Sequence, residues 1–101
     1  MASRILHAVT KSAEDLHRIG LIDTEAMREF DVLSLPPVPQ YSAVDIKRIR
    51  KANKASQGVF AAYLNVSKAT VTAWEQNVKS PSRMGLKLLN LVDRKGLKAL
   101  T

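Results

Sequence analysis

Side chains able to do covalent or proton-transfer chemistry are sparse in this 101-residue sequence: two histidines, His7 and His17, and no cysteine. The histidines fall almost three turns apart and roughly 80° around a predicted helix, too distant to share a ligand, and read as surface or interface residues. Without cysteine, two histidines cannot hold a metal, and no disulfide framework exists. No glycine-rich phosphate loop is present. Ser42, Ser56, Ser67 and Ser82 stand at predicted helix starts, where capping accounts for them without nucleophilic chemistry. From residue 40 onward the only carboxylates are Asp45, Glu75 and Asp93. Catalysis, a metal and a cofactor are therefore not expected. The abundant chemistry is fixed positive charge. Residues 40–101 carry 12 basic side chains against three acidic ones, a balance of +9, whereas residues 1–39 hold four basic against six acidic, or −2. A balance of +9 over some sixty residues suits a polyanion, whose phosphates release condensed counterions when neutralised. The bland alternative is a well-solvated basic surface.

The elements that must position these charges divide at Leu35-Pro36-Pro37-Val38-Pro39, since proline removes an N–H and restricts the residue before it. The expected organisation is an N-terminal helical extension with this linker, residues 1–39, and one helical domain, residues 40–101. In the extension Ile5, Leu6, Val9, Ala13 and Leu16 recur at spacings of three and four, which predicts an amphipathic helix over 3–18, ended by Gly20. Asp23 or Thr24 can cap a second helix over 24–32 with Met27 and Phe30 on one face. Both helices are short enough to be marginal alone, so their apolar faces require burial against something else.

In the domain, Ser42 can cap a helix over 43–53, with Val44, Ile46 and Ile49 inward and Lys47, Arg48, Lys51 and Lys54 toward water. Ser56 caps 57–64, with Val59, Phe60, Ala61 and Leu64 as its stripe; Ser67 caps 68–76, with Val71 and Trp74 three apart. A fourth helix starts near Ser82, carries Leu86, Leu89 and Val92 with Met84, Leu88 and Leu91 widening the stripe, and ends by Asp93 or Gly96. No period-2 strand pattern occurs, so the fold class is all-α. No apolar run approaches the ~20 residues that span a bilayer, and no signal peptide opens the chain, which predicts a cytoplasmic protein.

Two capped helices separated by only Asn65-Val66-Ser67 have the spacing of a helix-turn-helix. Ala61 falls where they approach most closely, and Val66 can plug the gap. With Val71 and Trp74 turned to the core, Lys68, Ala69, Thr72 and Ala73 are left on the outer side, a small face able to enter a major groove about 12 Å wide. Trp74 could stack on a base, but its spacing from Val71 makes it a core residue. Lys79 and Arg83, in the loop and first turn that follow, suit phosphates rather than bases, or are simply solvated cations.

Ile49-Arg50, Ser56-Gln57, Phe60-Ala61, Asn65-Val66-Ser67, Thr70-Val71, Trp74-Glu75 and Ser80-Pro81-Ser82 together resemble the Cro and lambda-repressor-like (XRE) helix-turn-helix domains, over about residues 43–92. The resemblance implies a bundle of four or five helices, with Gln57 and Ser67 on phosphates and Lys68, Ala69, Thr70, Thr72 and Ala73 toward bases. It also implies an ion pair, partly buried, between Arg50 and Glu75, the alternative being two exposed charges. Asn65 and Asn77 replace the usual glycines, which asparagine's tolerance of the left-handed region permits. Ala69 and Ala73 offer no hydrogen bonds and could meet only thymine methyls or shape.

A narrower resemblance is to HigA-type antitoxins, carried by Gly58-Val59-Phe60-Ala61-Ala62-Tyr63-Leu64-Asn65-Val66-Ser67, by Leu88-Leu89-Asn90-Leu91-Val92-Asp93-Arg94-Lys95-Gly96, and by the small acidic extension. It implies an autorepressor, homodimeric on a palindromic operator in double-stranded DNA, whose N-terminal segment embraces a basic ribonuclease toxin of the RelE type. Ile5, Leu6, Val9, Leu16, Met27 and Phe30 would make that contact. A stand-alone repressor, with the extension as dimer interface or ligand sensor, is the other reading. An interaction module that has lost DNA binding is the third, and the basic surface argues against it.

Overall fold

The computed structural model describes residues 2–101, with side chains from Arg4 onward. The chain divides into two compact units, Met1–Pro37 and Val38–Thr101, with the boundary inside the proline run. The described residues are all-α, without a strand: α1 (Ala2–Arg18), α2 (Thr24–Leu33), α3 (Ala43–Ala52), α4 (Gln57–Leu64), α5 (Lys68–Glu75), α6 (Arg83–Lys95), then a 3₁₀ turn, Leu97–Leu100. None of these helices is long and apolar enough to cross a membrane.

In the first unit α1 ends where Gly20 takes a positive φ of +83°, which a side chain would strain. Its N–H donates to the His17 carbonyl at 3.1 Å, and that of Leu21 to the Leu16 carbonyl at 2.9 Å, so the last turn closes as a Schellman motif. Of the two candidate caps for α2, Asp23 is the one used, accepting from the Ala26 N–H at 2.8 Å. The resulting hairpin buries little: Ala13, Met27 and Thr10, the last with its Oγ1 lacking a hydrogen-bond partner.

The second unit has a true core. Ile46, Ile49, Phe60, Val71, Leu89 and Val92 are wholly buried, joined by Ala55, Ala61, Leu64 and Trp74. Each large side chain so buried contributes roughly 1.5–3 kcal/mol relative to exposure. Four serines open its four helices, Ser42, Ser56, Ser67 and Ser82, each accepting the N–H three residues on. At Ser42 the box is reciprocal, because Asp45 accepts the Ser42 N–H at 2.9 Å.

Three stripe residues do not point inward as the sequence predicts. Val44 is 78% exposed and Met84 76% exposed. Both precede a buried residue by two positions, about 200° around the helix, so burying Ile46 and Leu86 turns them to solvent. Val59 is also on the exposed side of α4. Arg48, expected in water, lies 3.3 Å from Asp93. Tyr41 donates toward the same carboxylate and toward the buried Asn90 Oδ1 at 3.2 and 3.1 Å. This joins the segment before α3 to α6; burial and then the Asp93 charge raise the Tyr41 phenol above its usual range. Asn53 makes a second such join, donating to the Ile49 carbonyl and accepting the Leu97 N–H.

Candidate nucleic-acid interface

α4 and α5 meet across a turn whose shape is set by Asn65. This residue lies in the left-handed region (φ 57°, ψ 43°), and the Val66 N–H returns to the Ala61 carbonyl at 3.0 Å. Ala61 is buried at the crossing and Val66 is half-buried against the core. Ser67 then starts α5, accepting the Thr70 N–H at 3.1 Å and pairing with the Thr70 hydroxyl at 2.8 Å.

Behind α5 runs a network that fixes its position. Arg50 of α3 grips Glu75 bidentately, Nε to Oε2 at 2.7 Å and Nη2 to Oε1 at 2.9 Å, and its Nη1 donates to the Ala55 carbonyl at 3.0 Å. The side chains are 12% and 4% exposed. Hydrogen bonding from Arg50 holds the Glu75 carboxyl below the usual glutamate range against the opposing effect of burial. Gln57 extends the network: its Nε2 donates to Glu75 Oε1 at 3.3 Å and its Oε1 accepts the Thr72 hydroxyl at 2.8 Å. Because a carboxylate only accepts, Nε2 must face Glu75, which fixes the sense of the amide. The Thr72 hydroxyl also lies 3.0 Å from the Lys68 carbonyl.

The residues singled out for DNA therefore stand as follows. Lys68 and Ala69 are exposed, while Thr70, Thr72 and Ala73 are half-buried. The Lys68 stem runs past Gly58, its Cδ 4.0 Å from where a Cβ would stand there. Ser67, Lys79 and Arg83 are exposed. Gln57 is half-buried, and the two bonds to Glu75 and Thr72 leave it one amide N–H for any ligand. Nothing in the spacing of the sequence pairs Gln57 with Thr72, which only the crossing of α4 and α5 brings together; the Arg50 bond to the Ala55 carbonyl is local and follows from the turn that ends α3.

In the first unit, Val9, Leu16 and Phe30 line one shallow groove with Ala8, Ser12 and Ala13. Leu6 borders a separate hollow beside Leu35 and Pro36, Ile5 is exposed, and Met27 is buried inside the hairpin, away from any contact surface. His17 Nε2 lies 3.2 Å from the Thr24 hydroxyl.

The family described as "Helix-turn-helix" matches residues 46–89, which take in most of α3, all of α4 and α5, and half of α6. The match supports the XRE family and a DNA-binding transcription regulator acting on double-stranded DNA. No curated protein matches the chain.

Proposed function

We propose that this protein is a sequence-specific transcriptional repressor that binds double-stranded DNA through α4 and α5, and the antitoxin of a type II toxin-antitoxin pair. The observation that carries the DNA-binding half is the Arg50–Glu75–Gln57–Thr72 network. It anchors α5 from behind, leaving Lys68 and Ala69 exposed on a unit of net charge +9. Ser67, Thr70 and the free N–H of Gln57 lie at the start of the two helices, where backbone phosphates would pass; Lys79 and Arg83 add phosphate contacts. The protein acts by binding rather than catalysis, as a homodimer on a palindromic operator whose recognition helices sit about 34–36 Å apart.

The antitoxin half rests on the HigA-type resemblance and on the state of the first unit. A hairpin that buries three of its described residues and keeps an apolar groove open gains from a partner. Its balance of −2 suits a basic one such as a RelE-like ribonuclease. The test is co-expression of the full chain, and of a chain beginning at residue 40, with the product of the neighbouring gene. Capture by the full chain alone is expected. Capture by neither removes the antitoxin reading and leaves a stand-alone repressor, with the hairpin as dimerisation or sensing element.

A further inference from the structure

We infer that α5 reads its operator mainly through thymine methyl groups, with Lys68 on a guanine as the one base contact that donates a hydrogen bond from its first turns. The inference rests on the DNA-binding reading above and follows from counting which polar atoms of α5 remain free. Thr72 has one hydroxyl hydrogen, and two acceptors hold it, Gln57 Oε1 at 2.8 Å and the Lys68 carbonyl at 3.0 Å. The fixed sense of the Gln57 amide forbids the reverse arrangement, so Thr72 cannot donate to a base. What it offers a ligand is its γ-methyl and an oxygen that can only accept. Ser67 and Thr70 carry two hydroxyl hydrogens, of which one closes the bond between them while Ser67 Oγ also accepts a backbone N–H; the other is left for the phosphate that passes the start of the helix. Ala69 and Ala73, one turn apart on the same face, end in methyls. Gln76 is exposed but lies just past the far end of the helix, about 12 Å along the axis from Lys68.

The face is thus three methyl groups beside one cation. In the major groove the partner for a methyl is the C5-methyl of thymine, and the partner for a donor-only ammonium is the O6 and N7 acceptor pair of guanine. The half-site expected is a guanine next to T·A pairs.

The full chain is used to select duplexes from a random pool, and the enriched site is then remade with deoxyuridine for thymine, which deletes only the methyl. Each methyl that packs on α5 is worth about fourfold in affinity. Thr72→Ser, which keeps the hydroxyl and its bond to Gln57, is expected to abolish the deoxyuridine effect at one position while sensitivity at the others remains. Thr72→Val, which keeps a methyl and loses the hydroxyl, is expected to retain it. Thermal melting of both variants verifies the fold. Equal affinity for the thymine and deoxyuridine sites overturns the inference while leaving sequence-specific binding intact, as does loss of base preference in Thr72→Val but not in Thr72→Ser. A pool from which nothing is enriched overturns the DNA-binding reading, and this inference with it.

Discussion

Glu75 receives the Arg50 guanidinium on both oxygens and the Gln57 amide on one, in a site that is almost closed to water. A buried pair of this kind is weak evidence of net stabilisation, since desolvation offsets the Coulombic gain, but removing one partner strands a charge. Arg50→Ala should lower unfolding free energy by roughly 3–5 kcal/mol in denaturant titration, and a loss under about 1 kcal/mol would mean that water replaces the guanidinium. The same carboxylate makes stability depend on pH. Its pKa is lower folded than unfolded, so the unfolded chain binds the extra proton and the contribution is present above the usual glutamate range. It is lost as pH falls through the lower folded value. Unfolding followed from pH 7 into the acid range should show this decline, and a Glu75→Gln variant should show less of it.

Three helices of the second unit end alike, and the endings differ in how well the residue suits them. Lys54, Asn65 and Asn77 have φ of 54°, 57° and 59°, each followed by an N–H that returns to a carbonyl five residues back, on Arg50, Ala61 and Ala73. Asparagine enters the left-handed region more readily than lysine. Lys54→Gly should therefore stabilise the protein, by up to about 1 kcal/mol, with Asn65→Gly giving a smaller change of either sign. A melting temperature lowered by Lys54→Gly would show that unfolded-chain entropy outweighs the relief of strain. These endings also show what the sequence disclosed. Helix starts were legible because a serine cap is a local signal, and all four serines serve as caps. The asparagine turns were legible through the family pattern, but nothing marks Lys54 as a left-handed residue. Val44 and Met84 were misplaced because hydrophobicity alone does not choose between two faces when a helix carries apolar residues on both. Tyr41, Arg48, Asn90 and Asp93 went unnoticed as a group, since their contacts span 45–52 residues and leave no periodic trace.

The two units differ in what they can do alone. The second encloses a continuous core from α3 to α6 and carries 12 of the 16 basic residues, whereas the hairpin of α1 and α2 has a net negative balance and is thinly packed. Charge separated in this way fits the second unit for a polyanion, and it makes the electrostatic part of DNA binding separable from the rest. The measurement that bears most directly on the central claim is the affinity of the full chain for a duplex between 50 and 200 mM salt. If α4 and α5 seat on the backbone through even three phosphates, affinity falls by at least tenfold over that range, with a log–log slope of about −0.9 for each phosphate neutralised. A flat dependence, or no binding at 50 mM salt, would contradict a nucleic-acid interface on this face.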